Sequence, residues 1–186
     1  GVTRFDLPEG SKGHTFPGPF GNPMRLKPDT AFTWPQAPGA TGKPVDLRTL
    51  TRGTSDFSTQ LISVRRREGW VSAVNAKLGL AVIYLWPRAD YPWVGNWEET
   101  GGRKGAPWNG ASLTRGLEFA NTPFPQGLRQ AVDRGSFQGE PCFRWLPARA
   151  TVETRFTLGV LPVGRDCQGV QEAQTTDKGG LEVEWR

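Results

Sequence analysis

Through the middle of the chain, apolar and polar positions alternate with a period of two. Trp70-Val71-Ser72-Ala73-Val74-Asn75 switches sides residue by residue, as a half-buried β-strand does. Ser58 to Val64 predicts another strand. Leu80-Ala81-Val82-Ile83-Tyr84-Leu85-Trp86 is almost wholly apolar, which predicts a central strand covered on both faces. Trp93 to Glu99 predicts a short strand dense in aromatics. In Ala111 to Ala120, Leu113, Arg115, Leu117 and Phe119 share one face, while Ser112, Thr114 and Glu118 share the other. Further strands are predicted at Cys142 to Leu146, Thr151 to Val160 and Leu181 to Trp185, with a short helical turn at Leu128 to Asp133. Asn75 to Gly79 reads as a turn and Pro87 to Pro92 as a loop.

Residues 1–44 break this rhythm. Pro17, Pro19, Pro23, Pro28, Pro35, Pro38 and Pro44 forbid long strands, yet Phe16, Phe20, Phe32 and Trp34 are interleaved with them. The segment reads as a long ordered loop with short extended pieces, pinned by aromatics. With 24 Gly and 16 Pro in 186 residues, a helical bundle is excluded and short strands joined by turns are favoured. Eight Trp exclude a disordered chain. The fold class is therefore all-β, an antiparallel β-sandwich over residues 1–160, followed by a C-terminal extension, residues 161–186, that ends in a strand.

Charge and chemistry narrow the functional classes. The net charge is +5, but the sharpest basic run, Arg65-Arg66-Arg67, is followed at once by Glu68. Three like charges make no nucleic-acid stripe. No run approaches 18 apolar residues, so no membrane-crossing helix is expected. Cys142 and Cys167 form no C-x-x-C pair, and the chain has one His, so neither a metal site nor a cofactor is expected. Whether the two thiols are bonded, where the protein resides and its oligomeric state are not encoded legibly.

Three groups carry candidate chemistry. His14 sits among rigid prolines and aromatics and can serve as a proton donor near neutrality. Glu118 is an acid in an otherwise apolar strand; it is either a solvent-face carboxylate paired with an Arg or a base. Trp93, Asn96, Trp97, Glu98 and Trp108 cluster in sequence. Flat indoles stack on the C–H face of a sugar while Asn and Glu bond its hydroxyls, so the implied partner is a small-molecule sugar; core packing is the alternative for some of these Trp.

Gly116-Leu117-Glu118-Phe119-Ala120-Asn121-Thr122-Pro123-Phe124-Pro125 resembles the strand of the galactose mutarotase (aldose 1-epimerase) superfamily that carries its catalytic Glu. Gly79 to Tyr84 is similar to an upstream strand of that family, Leu146-Pro147-Ala148 to its closing turn, and His14-Thr15-Phe16 to its general-acid motif. The resemblance implies a large antiparallel supersandwich, of which this chain is the C-terminal portion or a shortened variant. It implies interconversion of sugar anomers, with Glu118 as base, His14 as acid and Asp56 as a sugar-binding carboxylate. Asn96 and Glu98 would hold hydroxyls and Trp97 would stack. The Asn that precedes the family's acid His and the Gln usual at Ala120 are both absent. The first alternative is a non-catalytic carbohydrate-binding β-sandwich, which needs the Trp cluster but not His14 facing Glu118; the second is a structural β-sandwich with interaction loops, in which the aromatics are core.

Overall fold

The computed structural model describes residues 3–17, 24–123 and 127–186. The proline-rich N-terminal third forms five strands of three or four residues: β1 (Arg4–Asp6), β2 (Lys12–Thr15), β3 (Ala31–Thr33), β4 (Gln36–Pro38) and β5 (Pro44–Asp46). Longer strands follow as β6 (Ser55–Leu61), β7 (Glu68–Asn75), β8 (Leu80–Pro87), β9 (Trp93–Glu99) and β10 (Thr114–Ala120). Then come α1 (Leu128–Arg134), the small hairpin β11 (Ser136–Phe137) and β12 (Glu140–Pro141), β13 (Thr157–Pro162), β14 (Val170–Thr175) and β15 (Leu181–Trp185). Strand accounts for 43% of the chain and helix for 4%, so the all-β sandwich holds. No helix among the described residues is long and apolar enough to cross a membrane.

Two sheets carry the fold. One has the order β1-β7-β8-β13; the other, which curls, has the order β10-β9-β6-β2-β3-β4-β5. Their facing sides bury Val71 and Trp86 against Val94, Leu7, Leu26, Leu47 and Ile62. The opposite side of the four-stranded sheet buries Trp70, Ala81, Ile83 and Leu85 beneath Val170 and Ala173 of the β14–β15 hairpin. The four-stranded sheet is thus a middle layer, and the C-terminal hairpin packs as a third.

Several expectations shift. β6 begins three residues earlier than the pattern suggested, and Val64 is exposed. β8 is fully buried on the Ala81-Ile83-Leu85 face and half-buried at Val82 and Tyr84 on the other. Cys142 to Leu146 is not a strand, and residues 151–156 are irregular and exposed although they alternate. The pairing of β13 with β8 stops at Thr157 opposite Leu85, two residues short of Pro87, which has no N–H to donate. Without a partner, alternation alone makes no strand. The missed strands are β14, hidden in a Gln-rich stretch, and the two-residue β11 and β12. Both cysteines are free thiols. Phe20 and the Phe124-Pro125 step lie outside the described residues.

Trp86 links the layers. Its ring stacks on Phe119 of β10 at 4.6 Å, and its indole N–H donates to the Tyr91 carbonyl at 2.8 Å. Trp86→Ala leaves a cavity and an orphaned carbonyl, so it is expected to cost about 3–5 kcal/mol in chemical denaturation. A loss under about 1 kcal/mol would show that the sheets do not meet there.

Candidate functional site

The register of the curled sheet sorts the candidate residues onto two faces. Asp56 pairs with Glu98, Ser58 with Asn96 and Gln60 with Val94, while Glu98 pairs with Arg115, Asn96 with Leu117 and Val94 with Phe119. Val94, Leu117 and Phe119 belong to the core between the sheets, so Asp56, Ser58, Gln60, Asn96, Glu98 and Arg115 point inward with them. The residues between them point outward: Phe57, Thr59, Trp93, Gly95, Trp97, Gly116 and Glu118.

The inward row is a closed ionic network. Glu98 is fully buried and takes Arg25 on one carboxylate oxygen at 2.5 Å and Arg115 on the other. Arg25 also reaches Asp56 at 3.1 Å, and the Arg25 and Leu26 backbone N–H groups donate to the other Asp56 oxygen. Arg115 donates to the Leu47 carbonyl at 2.6 Å and lies over the Phe5 ring at 4.3 Å. Two guanidiniums balance two carboxylates, as burial of charge demands. Burial pushes the Asp56 carboxyl up from its ordinary range against the pull of Arg25, and Glu98 adds to the rise. Burial likewise lowers Arg115, opposed by Glu98. Asn96 adds its amide N–H to Glu98 at 3.2 Å and to Ser58 at 3.3 Å. Asp56, Asn96 and Glu98 are therefore committed to one another inside the sandwich, each 2% exposed or less.

His14 and Glu118 share the outward face and one cross-strand row: His14 pairs with Thr59, Thr59 with Gly95 and Gly95 with Glu118. Three strand spacings separate them, about 14 Å between Cα positions. His14 is held by Asp29 at 2.9 Å, and its ring packs between Phe16 at 5.1 Å and Phe137 at 5.2 Å. Phe137 also packs on Trp93, so the β11–β12 hairpin lies over the sheet between the two candidates. Glu118 is exposed. A Cβ placed on Gly116 would meet a Glu118 carboxylate oxygen at 3.0 Å and the Trp97 ring at 3.8 Å. The carboxylate leans along its strand toward Gly116 and the neighbouring Trp97, and the structure does not bring His14 and Glu118 to one cleft.

What it does bring together is Trp97, Trp108 and Arg103, with the Glu118 carboxylate beside Trp97. Trp97 and Trp108 are half-buried with ring centroids 5.5 Å apart. Arg103 lies over both, at 5.6 and 5.1 Å. Fully buried Glu99 organises this wall: it accepts the backbone N–H groups of Gly101 and Arg103 and pairs with the Arg103 guanidinium at 3.2 Å. Trp93, by contrast, is wholly buried and belongs to packing. Arg25 escaped the sequence reading, and Arg103 reads there only as a basic residue of the glycine-rich loop, either solvated or drawn to an acidic sugar, and not as a site residue. Arg103 follows the aromatic strand in a basic glycine-rich loop beside Trp108, which is a usable signal; Arg25 lies in a proline-rich stretch far from its partners and gives none.

Comparison with protein families, with curated proteins and with solved structures finds no match to this chain.

Arg115→Met removes one cation from a fully buried network and is expected to cost about 3–5 kcal/mol at neutral pH, measured by urea unfolding. Glu118→Gln, at an exposed position, should stay within about 0.5 kcal/mol of the parent. Equal effects of the two would contradict the division into an interior network and an open face.

Proposed function

We propose that this chain recognises carbohydrate on the outward face of the curled sheet, as a carbohydrate-binding β-sandwich. The observation that carries the reading is the cluster of Trp97, Trp108 and Arg103, with the Glu118 carboxylate beside Trp97 over Gly116. Half-buried indoles offer flat apolar faces, and a few polar groups beside them fix orientation, which is the usual composition of a small-ligand site. Gly116 carries no side chain, which lets the Glu118 carboxylate lie over the bare backbone beside the Trp97 ring, where it borders the aromatic wall. Glu118 accepts hydroxyl protons and Arg103 donates.

A second reading is favoured by one further observation, that His14 and Glu118 stand in the same row on the same face. It is an aldose 1-epimerase-like activity. Glu118 takes the proton of the anomeric hydroxyl, a donor protonates the ring oxygen, the ring opens, the C1–C2 bond rotates and reclosure gives the other anomer. For His14 to be that donor, Phe137 and its hairpin must move aside.

Titration with neutral mono- and oligosaccharides, followed by calorimetry, tests the first reading. Trp97→Ala should weaken binding at least about tenfold, equivalent to about 1.4 kcal/mol. Unchanged affinity in that variant, or no saccharide binding by the parent protein, would sink it. Polarimetry on freshly dissolved sugars tests the second: acceleration that falls by about 10²–10⁴-fold in Glu118→Gln is expected of a base. Binding without acceleration leaves only the first reading standing.

A further inference from the structure

A cleft of about 1020 Å³ lies away from the aromatic wall, between the turn joining β6 to β7 and the β14–β15 hairpin. Its chemistry is divided. On one wall stand Arg65, Arg66 and Arg67, the basic run that nothing above accounts for. Arg66 is engaged by Glu172, which also accepts the Trp70 indole N–H at 2.7 Å. Glu68 is engaged by the backbone N–H and hydroxyl of Thr175, at 2.8 and 2.6 Å. The guanidiniums of Arg65 and Arg67 carry no hydrogen bond or ion pair among the described residues, and both are exposed. Their backbone is nonetheless fixed, because Ser63 takes the N–H groups of Arg65 and Arg66, and Arg67 accepts from Arg88 at 3.0 Å. The opposite wall presents Asp177, and Glu182 beside Gln174.

We propose that this cleft binds a saccharide carrying an oxyanion, either a carboxylate or a phosphate ester. Two free guanidiniums in a fixed turn suit one planar or tetrahedral oxyanion. The carboxylates facing them suit hydroxyls, which donate. The same carboxylates repel a continuous phosphate backbone, so the divided walls favour a sugar with one anionic group over a nucleic acid. The site is separate from the aromatic wall and stands or falls independently of it.

Calorimetry at low salt with glucuronate, glucose 6-phosphate, inorganic phosphate and neutral glucose tests the proposal. The two sugar anions should bind more tightly than inorganic phosphate, and the tighter of the two identifies the anion. Arg65→Gln/Arg67→Gln should weaken them at least about tenfold, from the loss of two charge-assisted contacts, while Arg52→Gln, exposed and outside the cleft, should not. Equal affinity in the double variant overturns the proposal. So does inorganic phosphate binding as tightly as the sugar anions, or a short DNA duplex displacing them. Neutral glucose reports the outward face separately, so failure of either site is distinguishable from failure of the other.

Discussion

Everything on the curled sheet depends on Glu98. Its carboxylate is fully buried, and each oxygen holds a guanidinium from a different part of the chain. Arg115 comes from β10, at one end of the seven-stranded sheet, and also takes the carbonyl of Leu47, just past β5 at the other end. One side chain therefore ties the two edges together, and the sheet must curl for that to happen. Arg25 ties Asp56 on β6 into the same knot and carries Leu26 into the core beside it. An ion network is a poor source of net stability but is costly to break on one side. Its contribution here is geometric: it fixes how far the sheet closes.

That closure decides which face can meet a ligand. The inward row spends its charges on itself and is sealed from solvent: Asp56 and Glu98 are held by guanidiniums, and only the buried amide oxygens of Asn96 and Gln60 accept no hydrogen bond among the described residues. The outward face keeps side chains that are partly free: Trp97, Trp108, Arg103 and Glu118. Glycine shapes the space around them, because Gly95 and Gly116 place bare backbone on either side of Glu118 in the register. The β11–β12 hairpin covers the other half of this face, where Phe137 seals His14 against Phe16 and Trp93. One face thus has an open half built from a carboxylate and indoles, and a closed half built from an imidazole among phenyl rings.

Much of this was legible wherever alternation ran long enough. β9 follows its pattern; β7 forms where it is predicted but is buried on both faces rather than one, β10 starts at Thr114 rather than Ala111, and the division of Arg115, Leu117 and Phe119 from Glu118 follows from period two alone. The same period separates Asn96 and Glu98 from Trp93 and Trp97. Grouping those four by proximity in sequence set two faces of one strand into one pocket. Residues 151–156 show the opposite limit: a strand pattern with no strand beside it to pair with. Arg25 was illegible because its partners lie 31 and 73 residues away, a contact that only the curled sheet creates.

The polar row inside the sandwich holds the sheet together, and the proposed contact with neutral saccharide lies on the outward face. The most direct test is a ¹⁵N–¹H correlation spectrum recorded during titration with a neutral oligosaccharide. The indole N–H signals of Trp97 and Trp108 should shift while the side-chain amide signals of Asn96 and Gln60 stay in place. Movement of the Asn96 and Gln60 amides with the two indole signals unchanged would contradict that placement.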